Sequence, residues 1–230
     1  MAEPIDALLF DIDGTICEYR RGPDELLSLV FERAGVEPFF STAEYVARFE
    51  DFLDESDDMQ SLRERIFAAI ARESGRDPEL GRRVARAYAE ERDHSNVRFC
   101  EGAREALETL GCEYHLGAVT NGAPGMQSTK LDSLGVDCFE TVVHAGYDAP
   151  AKPDPEPFEV ALDRLETRPE RAVYVGNSLD ADVQGAQAAG MRAAWLPDGQ
   201  PDEPTPTPDF VLDSVADLLD EPWTISGSTP

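Results

Sequence analysis

The sequence predicts an α/β fold, a doubly wound parallel sheet interrupted by one inserted block of helices. Three observations predict it. Ala7 to Phe10 is a short, unbroken apolar run, as expected of a strand covered on both faces. From Glu101 onward, strand-like and helix-like segments alternate, which is the grammar of parallel βαβ units. Between these regions, residues 17–97 carry helical periodicity and no convincing strand.

The first strand is expected over 5–11. Pro23 to Ala34 reads as a helix that opens on Pro-Asp-Glu and stops before Gly35. Ser41-Thr42-Ala43-Glu44 has the spacing of a capping box, ahead of an amphipathic stretch to Phe52. Asp57 to Glu73 sets Leu62, Ile66, Phe67 and Ile70 on one helical face and closes at Gly75. Asp77-Pro78 starts another helix, running through Tyr88 to Arg92. The expected order then becomes helix 101–110, strand 114–120, helix 125–134, strand 139–144, helix 155–165 and strand 172–175. Helix 180–189, strand 192–196, a proline-rich loop at 198–208, a short strand at 210–212 and a helix at 214–219 follow. Residues after Pro222 are expected to fray. This gives an α/β core from 1–16 and 98–230, with 17–97 as a separate helical domain.

The chain is strongly acidic: 20 Lys+Arg face 47 Asp+Glu, for a formal net charge of −27. Such a field repels nucleic acid and anionic membrane, so neither is an expected partner. Only two basic residues are lysines, Lys130 and Lys152. An acidic, lysine-poor, arginine-bearing surface resembles that of proteins from salt-in halophiles. In molar salt the Debye length falls to roughly 3 Å, which screens the self-repulsion. Four cysteines (Cys17, Cys100, Cys112 and Cys138) have neither CxxC nor metal-ligand spacing, as suits a reducing compartment. The N-terminal residues lack the basic and apolar regions of a signal peptide, and no apolar run approaches a membrane span. A soluble, cytoplasmic protein is expected.

The chemistry gathers at strand ends, where open α/β sheets place their ligands. Asp11 and Asp13 close the first strand, and paired carboxylates suit a hard divalent cation such as Mg²⁺. Gly14 allows the chain to turn sharply after them, and Thr15 offers a hydroxyl. Thr120-Asn121-Gly122 follows the second core strand, Lys152 the third, and Gly176-Asn177-Ser178 through Asp182 the fourth. A hydroxyl, free backbone N–H groups, a lysine and a metal together neutralise the oxygens of a transferring phosphoryl group. A carboxylate can serve as the nucleophile.

In this order, Asp11-Ile12-Asp13-Gly14-Thr15, Val119-Thr120-Asn121, Lys152-Pro153 and Gly176-Asn177-Ser178 to Asp182 resemble the four motifs of the haloacid dehalogenase superfamily. The resemblance runs from about residue 5 to about residue 220, and it includes a helical cap after the first motif. It implies a Rossmann-like core and a Mg²⁺-dependent phosphatase. Asp11 would attack phosphorus to form an aspartyl-phosphate. Asp13 would protonate the leaving group and then deprotonate the hydrolytic water. Thr120, Asn121, Gly122 and Lys152 would hold the phosphate. Asp11, the carbonyl of Asp13, Asn177 and Asp182 would face the metal.

One position departs from the family pattern: Asn177 stands where an acid usually follows the glycine. An amide oxygen can ligate Mg²⁺ but brings no charge, so weaker metal binding is expected. Among the alternatives, dehalogenases of the family lack the second aspartate, so Asp13 favours the phosphatase. A phosphomutase would share all four motifs, and a non-catalytic binding protein would be favoured only had Asp11 or Lys152 been missing. Arg20 and Arg21, where the cap begins, are candidates to meet a substrate anion or are simply solvated hinge residues. The expected partner is a small phosphorylated molecule bound by a monomer or homodimer.

Overall fold

The computed structural model describes residues 3–52, 58–197, 199 and 204–224. The chain divides into two compact units, residues 1–19 with 94–230 and residues 20–93.

The first unit is built on a six-stranded sheet. Its strands are β1 (Ala7–Phe10), β4 (His115–Thr120), β5 (Thr141–His144), β6 (Ala172–Gly176), β7 (Arg192–Trp195) and β8 (Phe210–Val211). The order across the sheet is β5-β4-β1-β6-β7-β8, and every pairing is parallel. Central β1 pairs Ala7 with His115 on one side and with Ala172 on the other. All four of its residues are fully buried, which is why its sequence shows no polar alternation. Ala7 and Leu9 enter a core that includes Phe158, Ala161, Tyr174 and Ala186. Leu8 and Phe10 enter the opposite one, with Ala106, Leu107, Val173 and Val215.

Two strands appear where none was expected. β2 (Cys17–Tyr19) and β3 (Val97–Phe99) form an antiparallel ribbon, with Glu18 opposite Arg98. The reading of 17–97 as strand-free is therefore corrected. Each strand has three residues, too few to show a period of two, and pairing across the chain defines them rather than propensity.

The unit at 20–93 holds α1 (Pro23–Ala34), α2 (Thr42–Val46), α3 (Phe49–Phe52), α4 (Met59–Glu73) and α5 (Pro78–Glu91). Ser41 closes the expected capping box: its hydroxyl accepts from Glu44 N, and its own N–H donates to Glu44 Oε2. The stretch to Phe52 divides into α2 and α3. Asp58 caps α4 by accepting from Ser61 N, and the expected start at Asp57 lies outside the described residues. An apolar core containing Leu27, Phe31, Phe40, Tyr45, Phe67 and Tyr88 holds these helices together.

In the first unit, α6 (Ala103–Leu110), α7 (Pro124–Leu134), α8 (Glu156–Arg164) and α9 (Gln184–Ala188) complete the layers. The helix expected over 180–189 begins instead as a widened π-helical turn, Leu179–Val183, before α9. A 3-10 turn at Val215–Asp220 replaces the last helix. The loop at 198–208 is described only in part. The four cysteines are free, and no described helix is long and apolar enough to cross a membrane.

Candidate active site

The carboxyl ends of β1, β4 and β6, with the loop before α8, line one cavity of about 330 Å³. Asp11, Asp13, Thr120, Asn121, Gly122, Lys152, Asn177 and Asp182 all border it. All eight residues expected from the sequence are thus brought together within the first unit.

Asp11 continues β1 by one residue, its N–H donating to Val175 O at 2.8 Å. After it the chain closes a tight loop in which the N–H groups of Ile16 and Cys17 both donate to Ile12 O, and Gly14 N donates to Cys17 O. This loop turns the two aspartates apart. The Asp11 side chain is 10% exposed and that of Asp13 is 44% exposed. Gly14 holds a left-handed φ of 77°, and a Cβ there would stand 2.5 Å from Asn177 Nδ2.

Lys152 organises the floor of the cavity. Its ammonium lies 2.8 Å from Asp11 Oδ1, 2.7 Å from Asp182 Oδ1, 2.9 Å from Tyr174 Oη and 2.9 Å from Val119 O. Tyr174 donates to Val119 O at 2.8 Å. Burial disfavours the Lys152 charge, but Asp11 and Asp182 outweigh it and hold the pKa above its ordinary value. Burial pushes the Asp11 carboxyl up to about 6; Lys152 pulls against this, and Asp182 and Asp13 add to it. Burial, then the charges of Asp182 and Asp11, raise the Tyr174 phenol well above its ordinary range, so it stays a neutral donor.

Asp182 accepts on both oxygens, from Lys152 on Oδ1 and from Ser178 N at 2.9 Å on Oδ2. Its geometry is that of a lysine partner and loop anchor. Asn121 is exposed, and its amide grips the backbone of Lys152, accepting from Lys152 N at 2.9 Å and donating to Lys152 O at 3.2 Å. An anion would therefore meet the backbone of Asn121 rather than its side chain. Thr120 Oγ1 accepts from Gly122 N at 3.1 Å and Gln127 Nε2 at 2.9 Å. With both lone pairs engaged, its O–H remains as a donor.

Three residues at the site escaped sequence reasoning. Lys130 donates to both oxygens of Asp13, at 2.5 and 2.7 Å. Gln127 donates to Asp13 Oδ2 at 2.7 Å. Tyr174 is hidden in a buried strand. A signal existed for Lys130, because the rarity of lysine that marked Lys152 marks Lys130 equally.

Among the described residues, no group of three or more acidic, histidine or cysteine side chains forms a ready metal cage. The oxygens bordering the cavity still suit a hard cation: the Asp11 carboxylate, the Asp13 carbonyl and the Asn177 amide are all oxygen donors. Mg²⁺ characteristically keeps several waters and takes only one or two protein carboxylates.

Comparison with known proteins agrees with this architecture. Residues 5–190 match the model of the haloacid dehalogenase-like hydrolases. A glyceraldehyde 3-phosphate phosphatase of Methanopyrus kandleri is 32% identical over 229 residues, covering 94% of this chain and 96% of that protein. A phosphoserine phosphatase of Thermus thermophilus is 33% identical over 160 residues, 69% of this chain and 64% of the relative, just under two thirds of its length. In fold, the chain is similar to the HAD-hydrolase YfnB of Bacillus subtilis, with a TM-score of 0.75, 24% identity and coverage of 95% and 99% of the two chains. The chain belongs to the haloacid dehalogenase-like hydrolase family.

Proposed function

We propose that this hydrolase is a phosphatase that cleaves a small phosphate monoester through an aspartyl-phosphate. The observation that carries this reading is the junction of Asp11, held by the buried Lys152, with Asp13 and the Thr120 hydroxyl in one cavity. A dehalogenase has no use for a second carboxylate beside the first. The phosphatase activity of the two relatives above adds support.

In this mechanism, Lys152 and the Thr120 O–H bind the phosphate oxygens and turn phosphorus toward Asp11. A carboxylate oxygen of Asp11 bonds to phosphorus as the bond to the ester oxygen breaks, and Asp13 passes its proton to that departing oxygen. Water then cleaves the aspartyl-phosphate, and Asp13 takes the proton the water loses. Lys152 keeps Asp11 in line throughout. Asp11, the Asp13 carbonyl and Asn177 would hold Mg²⁺, with Asp182 reaching it directly or through water. The bound cation supplies charge neutralisation for the phosphoryl oxygens. The helical cap that the family resemblance implies at 17–97 would select the ester. The enzyme works in the cytoplasm on a small molecule, as a monomer or homodimer, without nucleic acid or membrane.

The test is hydrolysis of p-nitrophenyl phosphate at about 2–3 M KCl, where charge repulsion is screened, with and without Mg²⁺. Wild type should turn over only with Mg²⁺, and Asp11→Asn should not. Turnover that persists in Asp11→Asn would overturn the aspartyl-phosphate route, and chloride release from 2-chloropropionate without metal would overturn the phosphatase.

A further inference from the structure

The two lysines of this chain are both buried, and each meets one of the two aspartates that follow β1. Lys152 is accounted for above. Lys130 lies outside the four motifs, on α7, with its side chain 1% exposed. Its ammonium contacts both Asp13 oxygens and sits 5.0 Å from the centre of the Tyr19 ring. Gln127, one turn earlier on the same helical face, is fully buried. Its Nε2 spends its two protons on Asp13 Oδ2 and Thr120 Oγ1. Its Oε1 has no hydrogen-bond partner. Donation to Asp13 and Thr120 turns the amide nitrogen inward and leaves the oxygen bare.

This arrangement is costly as packing. A lysine ammonium buried on a helix face loses its hydration, and an unsatisfied buried carbonyl is destabilising. The backbone also makes room for it: a Cβ on Gly122 would stand 1.9 Å from Gln127 Nε2. What the arrangement achieves is local. Asp13, otherwise on a half-exposed loop, has its carboxylate held from two sides by donors fixed on one rigid helix.

We infer that Gln127 and Lys130 are positioning residues that aim the Asp13 carboxyl at the departing ester oxygen. The inference rests on the phosphatase reading, in which Asp13 supplies that oxygen with its proton. A leaving group that departs as a stable anion needs little help from an aimed acid, whereas a basic one needs it fully. Loosening Asp13 therefore penalises esters in proportion to the basicity of their leaving groups.

The experiment is kcat/KM for a series of substituted phenyl phosphates, from p-nitrophenyl to p-methoxyphenyl, with wild type, Lys130→Met and Gln127→Met in saturating Mg²⁺ and molar KCl. Thermal melts accompany it to verify that each variant is folded. Gln127→Met keeps the Lys130–Asp13 pair, and it carries the test should Lys130→Met fail to fold. Each variant should lose about tenfold more on the p-methoxyphenyl ester than on the p-nitrophenyl ester, the size of one misaligned catalytic contact. A purely structural role would lower both esters alike, and parallel losses, or none, would overturn the inference while leaving the phosphatase standing. A wild type that hydrolyses no member of the series would overturn both.

Discussion

Gly14 and Asn177 touch where two loops of the site meet: the place a Cβ would occupy on Gly14 is 2.5 Å from Asn177 Nδ2. With φ at 77°, that position is also one that side-chain-bearing residues rarely adopt. Gly14→Ala should therefore destabilise the protein by roughly 1–3 kcal/mol and lower turnover by moving Asp13 or Asn177. Chemical denaturation and p-nitrophenyl phosphate kinetics measure the two effects. Unchanged values for both would mean that the loops yield at no cost.

Asn177→Asp restores a charge to a cavity already bordered by Asp11, Asp13 and Asp182. Mg²⁺ should bind the variant more tightly, by about tenfold for one added carboxylate contact of roughly 1.4 kcal/mol. Without metal the variant should melt earlier than wild type, because like charges are left unneutralised. Titration calorimetry reads the first effect and melts in chelator the second. An unchanged Mg²⁺ affinity would remove Asn177 from the ligand set.

The raised Asp11 carboxyl makes stability depend on pH. Its value is about 6 in the fold against an ordinary 3.8, so the folded protein holds this proton more tightly than the unfolded chain does. The associated stabilisation is complete below about pH 4 and is lost as pH rises through 6. Asp11→Asn stays neutral throughout. In chelator at pH 7.5 it should be more stable than wild type by about 1–3 kcal/mol, with the gap closing toward pH 4. A variant less stable than wild type at pH 7.5 would show that the Lys152 contact outweighs burial.

Lys152 neutralises two buried carboxylates at once. Removing it as Lys152→Met leaves Asp11 and Asp182 facing each other, which should cost about 3–5 kcal/mol. Adding Asp182→Asn should recover part of that stability and none of the turnover, because the phosphate site still lacks its cation. Full additivity of the two substitutions in unfolding experiments would mean that the residues do not interact.

Salt should decide whether the fold persists. The net charge of −27 is spread through both units, and the lysines that could offset it lie inside. Melting at ~0.1 M KCl should occur well below melting at ~2 M KCl, as screening strengthens. Equal melting temperatures would show that the surface arginine–carboxylate pairs, such as Arg48 with Glu73 and Arg86 with Glu79, suffice alone.

What could be read from the sequence was whatever concentrates chemistry into short runs. Asp11 to Thr15, Thr120 to Gly122, Lys152 and Asn177 to Asp182 lie at strand ends, and β1 announces itself by unbroken apolarity. The ribbon of β2 and β3 could not be read, because three residues carry no period and each strand exists only opposite the other. The widened turn at Leu179–Val183 was hidden for a different reason: it is defined by one backbone bond, from Val183 N back five residues to Ser178 O, which no side-chain pattern announces. Gln127 and Lys130 were legible in principle. Together with Leu131 and Leu134 they mark the buried face of α7, so two polar side chains stood on a core face with no partner yet in view.

The position of β1 also bears on how the chain is made. It precedes the other described strands of its sheet in the sequence, yet it lies in the middle of that sheet, and its neighbours on either side begin at His115 and Ala172. The helices of 20–93 reach solvent with a core of their own before either neighbour exists. On a ribosome, then, a helical unit with its own core is complete while the strand that leads to Asp11 is still an unpaired apolar segment. The interval before His115–Thr120 and Ala172–Gly176 emerge is when β1 is most open to wrong partners.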